Sequence, residues 1–499
     1  MPATPAITPS ITPAITWNQL AELIHADIFF PQSNSHIIPY QGLSIDTRTI
    51  QENQAFCCIQ GPNFDGHDFA LTAFEKKASL LITEKKLELN IPQLITSNTT
   101  ETLGKLAQQY RLLFNIPVLA LTGSCGKTGT KEMMSAICQS IGKILSTQGN
   151  LNNQFGLPLT LFQLDHSYQF AVLELGASRT GDIKNLVNIA QPTLSLITNI
   201  RYQHAEGMGD TQSISQEKSE IFNLNPHLSY PPTCKPMALI NLDESFSSQW
   251  LKKLEKLTHI QILTFGLNHL NKLNKKPNIT AQDILITPTH TEFLLITPAP
   301  NSPIKISIPL LGPHVIHNAL AACAAGFALK IPLEKIKTSL ENLKPIPGRL
   351  CPHVLDHLTV IDDTYNASPA AVKSAIECLT QYPTHHQKIF IMSNMAQLAD
   401  QAIAYHRQMG EWLLEAFNQD QLDHVLLYGS SDLLIHTVQA TDGRAKLFKT
   451  KTDLETHLYD LLNNPLKNPL KPNNLVLIKG SRGNQMESIL KNILNLNKS

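Results

Sequence analysis

LALTGSCGKTGT, residues Leu119 to Thr130, is the stretch from which the rest of the chain is best read. An apolar, β-rich run (IPVLALTG, Ile116–Gly123) stops at Gly123, a tight turn leads to Gly126-Lys127-Thr128, and the helical KEMMSAICQSI follows at once. Phosphate binding asks for these parts in this order. Glycines let the backbone close on phosphate oxygens, and amide N–H groups at a helix N-terminus donate to them. A lysine neutralises β/γ charge, and a threonine hydroxyl can ligate Mg²⁺. Gly123, Ser124, Cys125, Gly126, Lys127, Thr128 and Gly129 are therefore the candidate cradle for a nucleoside triphosphate such as ATP. The full GxxxxGK[ST] spacing is not met, because Leu121 stands where its first glycine would be. A surface turn that happens to contain GKT is the other reading; the strand before and the helix after speak for the phosphate loop.

Further apolar runs follow the loop (FAVLELG, LSLITNI, MALINLD) and alternate with helical segments. Such runs predict a parallel sheet covered on both faces. Upstream, short strand-like stretches (GLSIDT, AFCCIQG, ASLLITE) alternate with helical ones (WNQLAELIHA, DFALTAFEKK), a small α/β unit over residues 17–100. Downstream, Thr258 to Pro309 is β-rich and Pro-punctuated, and reads as a strand insertion before the helix HNALAACAAGFALK. Pro345 and Pro347 mark a linker, after which LTVIDD, KIFIMSN, DHVLLYG and NLVLIKG are the strands of another α/β unit. The expected fold class is thus α/β in three domains: a small first domain (17–100), a central P-loop, parallel-sheet domain with a β-rich insertion (101–345), and a C-terminal Rossmann-like domain (346–499). Residues 1–16 (MPATPAITPSITPAIT) lack a basic start and a solid apolar stretch, and read as a flexible tail rather than a signal peptide.

Composition narrows the partners. At 499 residues, the chain has room for about three domains of roughly 100–200 residues each. Forty Lys and Arg balance forty Asp and Glu, so no global basic field exists to recruit nucleic acid or an anionic membrane. No apolar run has the length of a membrane span. The eight cysteines show neither disulfide nor zinc spacing, which fits a reducing compartment and a cytoplasmic location. Cys125, in the loop, is either a small residue of no consequence or a redox-sensitive thiol.

From the loop outward the sequence resembles the Mur ligase family, whose members typically carry TGxxGKT. The resemblance continues in order through GNLNNQFGLPLT (Gly149–Thr160), AVLELGAS (Ala171–Ser178), ITNIRYQHAEGMGD (Ile197–Asp210) and GPHVIHNALAA (Gly312–Ala322). PGRL (Pro347–Leu350), VIDDTYNASPAAV (Val360–Val372) and IKGSRGNQME (Ile478–Glu487) extend it to the C-terminal third. SIDTRTI (Ser44–Ile50) and IQGPNFDGHDF (Ile59–Phe69) resemble the family segments that hold a UDP-sugar, so the likeness covers nearly everything except the N-terminal tail. Within the family it is strongest to members that join D-alanyl-D-alanine to UDP-N-acetylmuramoyl-tripeptide.

That resemblance implies roles residue by residue. Thr128, Glu174 and His204 match the Mg²⁺ ligands; a buried strand-end carboxylate such as Glu174 is costly unless paired or metal-bound. A lone histidine is more often structural than a ligand, but His204 follows a buried strand at the sheet's ligand-binding edge. Lys218 falls near a second metal, where a free ammonium would be repelled. Family members often carbamylate this lysine, which makes it an anionic ligand; a solvated helix lysine is the other reading. Lys127, His204 and Lys218 are the implied catalytic residues. Asn318 resembles the adenine contact, though an asparagine there could simply cap its helix. Arg349 and Asp363 resemble ATP contacts at the linker and third domain. Ser44, Asp46, Arg48, Asn63, Asn152 and Asn153 are the implied contacts of the UDP-muramyl part, Asp46 and Arg48 being otherwise a surface ion pair. Tyr365, Asn366, Lys479, Ser481 and Arg482 are placed where the third domain meets the peptide. One departure stands out: a GDMxELG-like stretch of the family is here Ser393 to Ala399, with amides for its acidic positions and neither glycine.

The implied activity is amide-bond formation. ATP phosphorylates a substrate carboxylate, the amine of D-alanyl-D-alanine attacks the acyl phosphate, and phosphate leaves; the resemblance also favours a monomer. Two related readings share the core: a ligase adding the third peptide residue, whose diaminopimelate-adding members carry a DNPR motif not found here, and a folylpolyglutamate synthase, which needs no UDP-sugar domain. A non-ligase P-loop ATPase predicts neither that domain nor the Lys218 segment.

Overall fold

The protein's structure is a computed structural model that describes residues 15–31, 37–61, 64–201, 205–226, 236–267, 275–287, 289–312, 314–356, 358–382, 386–396, 398–430, 432–462 and 473–496. His204 and Asn63, expected at the site, lie outside the described residues, as does Gln397 of the Ser393–Ala399 stretch.

The first unit carries β1 (Ile28–Phe29), β2 (Leu43–Ser44), β3 (Ala55–Cys57), β4 (Leu80–Thr83) and β5 (Gln93–Ile95) in the order β1-β5-β4-β3-β2, with only β1 antiparallel. α1 (Trp17–Leu23) and α2 (Ala70–Glu75) flank it. α1 starts at a capping box in which Thr16 and Gln19 satisfy each other's backbone amides. The long helix α3 (Thr99–Leu112), capped by Asn98, leads into the central unit.

The central sheet has six parallel strands: β6 (Val118–Thr122), β7 (Ile144–Ser146), β8 (Phe170–Glu174), β9 (Leu194–Ile197), β10 (Met237–Asn241) and β11 (Gln261–Phe265), ordered β11-β10-β9-β6-β8-β7. β6 lies inside the sheet between β8 and β9; the chain leaves it for β7 and β8 on one side and then crosses to β9 on the other, so a crevice opens beyond its C-terminal end. Helices α4 (Lys127–Gln139), α5 (Gly156–Leu161), α6 (Asp182–Ala190), α7 (Ala205–Met208), α8 (Thr211–Ser219) and α9 (Ser247–Leu254) connect the strands. The stretch HIQILTFG, expected in the insertion, instead supplies β11 at the edge of this sheet, because its register continues that of β10. The separate β-rich part is β12 (Thr280–Ile286), β13 (Thr291–Ile296) and β14 (Ile304–Ile308), an antiparallel sheet. It packs with α10 (His314–Ala328) and α11 (Leu333–Glu341) over α4 in one apolar cluster. The small side chains of α10, Ala319 and Ala321 to Ala325, allow that close approach.

The third unit is a six-stranded sheet of β15 (Cys351–Val354), β16 (Leu358–Asp363), β17 (His386–Ser393), β18 (His424–Tyr428), β19 (Lys446–Phe448) and β20 (Asn473–Lys479), in the order β15-β16-β20-β17-β18-β19 with β15 antiparallel. α12 (Pro369–Thr380), α13 (Ala402–Asn418), α14 (Leu433–Ala440), α15 (Lys451–Leu462) and α16 (Glu487–Leu496) cover it. The chain enters this unit once, through residues 342–350. Its cores lie on the two faces of its own sheet, whereas the first and central units share a core. Aromatic rings bind those two together: Tyr40 stands 4.6 Å from Tyr110, Trp17 5.2 Å from Tyr40, and Tyr110 5.5 Å from Phe162.

Candidate functional site

The crevice beyond β6 is a cavity of about 560 Å³. The phosphate loop forms its floor. Gly123 and Gly126 have φ of +151° and +79°, and a Cβ on Gly126 would sit 2.6 Å from Asn318 Oδ1. The loop is braced from β9: the Ser124 amide donates to the Asn199 carbonyl (2.9 Å), the Cys125 amide to Asn199 Oδ1 (2.9 Å), and Thr198 Oγ1 to the Cys125 carbonyl (2.7 Å). The first amides of α4, from Lys127 onward, have no intrahelical acceptor and face the crevice side of the loop.

Lys127 Nζ donates to the Gly123 (2.8 Å) and Ser124 (3.3 Å) carbonyls, and burial lowers its pKa although Glu174 pulls the other way. Glu174, 4% exposed at the end of β8, accepts from Thr128 Oγ1 at 3.0 Å and from Asn152 Nδ2 at 2.9 Å. Arg349 reaches across from the linker: its Nη2 donates to Thr128 Oγ1 at 3.2 Å while its guanidinium stacks 4.2 Å from the Tyr365 ring. Lys218 on α8 is 2% exposed, and burial, reinforced by Lys127, brings its pKa down to about 7. Its neighbour Glu217 accepts from the Gly181 and Ile183 amides, both at 2.7 Å, and so caps α6 from α8.

Of the residues expected from the sequence, the cavity gathers Ser124 to Gly129, Asn152, Glu174, Asn318, Arg349, Asp363, Tyr365, Asn366 and Lys479. Gly123 lies at the loop's start, tight against Thr198. Ser44, Asp46 and Arg48 are not in its lining but at the end of β2, where Arg48 holds Asp46 at 2.6 Å and keeps that carboxyl at about 2. Asn153 accepts from the Phe155 and Gly156 amides at the start of α5. Arg482 lies 73% exposed at 3.6 Å from Glu487, and Ser481 Oγ donates to the Asn394 carbonyl. Asp363 and Lys479 are register partners on β16 and β20 and form a buried ion pair at 2.5 Å. Sequence reasoning passed over Asn199, Thr198 and Asp362, although the first two lay inside the quoted ITNIRYQHAEGMGD and the last inside VIDDTYN.

Among the described residues no group of three or more His, Cys, Asp or Glu forms a metal cluster. A buried carboxylate beside a threonine hydroxyl does suit Mg²⁺, a hard cation that takes one or two carboxylates and completes its shell with phosphate and water.

A phosphate loop, a carboxylate–hydroxyl pair and an arginine brought from a second α/β unit define a nucleotide-dependent ligase of three units. Residues 39–123 match the Mur ligase family catalytic domain, 121–326 the Mur ligase middle domain and 348–482 the Mur ligase glutamate ligase domain. The chain belongs to the Mur ligase family. In particular, it is 35% identical to the UDP-N-acetylmuramoyl-tripeptide–D-alanyl-D-alanine ligase of Buchnera aphidicola, over 90% of this chain and 92% of that protein. The crystal structure of MurF from Acinetobacter baumannii superposes with a TM-score of 0.84 at 29% identity, covering 97% of this chain and all (100%) of that one. MurF ligase from Thermotoga maritima in complex with ADP gives 0.73 at 25% identity, covering 90% and 96%.

Proposed function

We propose that this chain joins D-alanyl-D-alanine to UDP-N-acetylmuramoyl-tripeptide in peptidoglycan precursor synthesis, at the expense of ATP. The observation that carries the reading is the cavity in which Lys127, Thr128 and Glu174 face Arg349, in a chain that matches ligases of that specificity over nearly its whole length. A carboxylate is a poor electrophile, so its oxygen must first become a leaving group. The γ-phosphoryl of ATP passes to the tripeptide carboxylate, ADP is released, and the amine then displaces phosphate through a tetrahedral intermediate. Phosphoryl transfer demands positioning and charge neutralisation rather than covalent help.

The loop amides and Lys127 hold the β/γ-phosphates, and Arg349 adds a second cation from the opposite wall. Thr128 and Glu174, with His204 and Lys218, are the residues that would hold Mg²⁺, which when bound spreads the phosphate charge. Lys218 serves there as a carbamate: a buried amine beside the cationic Lys127 gains by becoming anionic. Asn318, packed under Gly126, faces the adenine side. The end of β2, with Ser44, Asp46 and Arg48, and the Asn152 and Asn153 segment receive the UDP-muramyl part, while Tyr365, Asn366, Lys479 and Arg482 belong to the peptide side. The working units are 17–100, 101–345 and 346–499. No helix of the described residues is long and apolar enough to cross a membrane, substrates made from UDP-sugars and ATP fit a cytoplasmic enzyme, and the family resemblance favours a monomer.

The test is phosphate release from ATP and Mg²⁺ with UDP-muramyl-tripeptide, with and without D-alanyl-D-alanine. Release that needs both, with UDP-muramyl-pentapeptide as product, is the expected result. Release with a single amino acid and a shorter precursor instead would overturn the specificity while leaving the ligase class.

A further inference from the structure

The two aspartates that end β16 hold the backbone on either side of Arg349. Asp362 Oδ2 accepts from the Gly348 amide at 2.7 Å, and Asp363 Oδ1 accepts from the Leu350 amide at 3.3 Å. Consecutive strand residues point to opposite faces, so two neighbouring carboxylates reach one loop only if that loop wraps the strand end. It does: β15 pairs antiparallel with β16, Cys351 opposite Asp362, and this register sets residues 348–350 across the end of β16. The loop is also held in an unusual conformation. Gly348 has φ of +78° and Leu350 has φ of +48°, a region that non-glycine residues rarely adopt. Such a shape persists only where surroundings over-determine it. Leu350 is 6% exposed in the third unit's core, the Tyr365 amide donates to the Gly348 carbonyl, and the two carboxylates take the amides.

The carboxylates are themselves fixed. Asp362, 5% exposed, receives the Thr364 hydroxyl at 2.7 Å and the Thr364 amide at 3.2 Å on its other oxygen. Asp363 receives Lys479. All of this order converges on one side chain that leaves the third unit, Arg349, whose guanidinium meets Thr128 of the phosphate loop.

We infer that Asp362 is a positioning residue for Arg349: its carboxylate fixes the turn from which the guanidinium is presented to the phosphate loop. The inference rests on the reading of the cavity as an ATP site. It makes Arg349 a rigid projection of the third unit, delivered with that unit rather than held by the central one. Asp362 does not line the cavity; it acts through Arg349.

The experiment is a double-mutant cycle on phosphate release, run after the wild-type enzyme has been shown to turn over, so that a failed ligase assignment is recognised separately. Asp362→Asn removes the charge that holds the Gly348 amide and the Thr364 hydroxyl. A loss of kcat of up to about 10²-fold with little change in KM for ATP is expected, because a displaced guanidinium costs orientation in the transition state. In an Arg349→Lys background the same change is expected to cost less than about threefold, since the group it positions is gone. Thr364→Val, a milder loosening, follows the same pattern at smaller size and decides the matter if Asp362→Asn fails to fold. A crystal structure of either variant reads the effect directly, as loss of the Arg349–Thr128 contact on an unchanged β16. Undiminished effects in the Arg349→Lys background, full activity of Asp362→Asn, or an Arg349 unmoved in the variant crystal would each overturn the inference.

Discussion

Lys127 donates to two loop carbonyls that a bound phosphate would outcompete, and among the described residues no anionic side chain is in contact with it. Removing this cation while keeping the loop, as in Lys127→Ala, is expected to lower ADP release by at least about 10²–10³-fold. The melting temperature should stay near that of wild type, and near-normal turnover would refute the phosphate-loop role. Lys218→Ala is expected to be nearly inactive and to regain part of its rate with small carboxylic acids, which can replace a carbamate as an oxygen ligand. An active variant indifferent to CO₂ would remove that role. His406 gives the pH-dependent case. It is buried, its Nε2 accepts from the Met395 amide at 3.1 Å, and burial lowers its pKa below the ordinary 6.5. The fold therefore prefers the neutral ring: the stability tied to it is complete above the ordinary value and is lost as pH falls through the lowered one. His406→Gln, which cannot titrate, should flatten the fall in urea midpoint between about pH 7 and about pH 5; an unchanged slope would count against it. Lys127, Thr128 and Glu174 were legible because a local pattern dictates their chemistry. Asp362 was not, since its partners are loop groups at the strand end, and Lys479 was named without its partner, which strand register supplies from 116 positions away in Asp363.

Elements differ in how far they announce themselves. The buried parallel strands β6, β8, β9 and β10 read as continuous apolar runs because helices cover both faces of their sheet. β1, at two residues, and β7 and β19, at three, carry too little pattern to be seen, and pairing with a neighbour creates them. β11 was grouped with the insertion since composition alone does not say which sheet a strand joins. Helix pairing supplies a further prediction. Gly410 on α13 faces α14 so closely that a Cβ would lie 2.6 Å from Ala440 Cβ and 2.8 Å from the Thr437 carbonyl. Alanine is the better helix former by about 1 kcal/mol, but here the added methyl must push two backbones apart. Gly410→Ala is expected to destabilise the third unit by about 1–3 kcal/mol in urea unfolding; a stabilised variant would show that the helices yield freely.

At the scale of the molecule, the shared aromatic core makes the first and central units one body, while the third has cores of its own, to which the central unit lends only Leu311 among the buried residues described. Calorimetry on the ligand-free protein is expected to resolve two transitions. A non-hydrolysable ATP analogue at about a hundredfold over its Kd adds about 2.7 kcal/mol to whatever it holds together. Because the cavity takes lining from both bodies, the analogue should raise both transitions and draw them together; a shift confined to one would place the nucleotide on that body alone. The single passage of chain through residues 342–350 has one more consequence. That short tether keeps Arg349's unit beside the phosphate loop at an effective concentration in the millimolar range. A cut on the N-terminal side of Gly348 would leave both bodies with their cores but turn assembly of the site into an encounter between separate molecules. Catalysis would then climb with the concentration of the pieces, and the site would become something the protein must find rather than something it has.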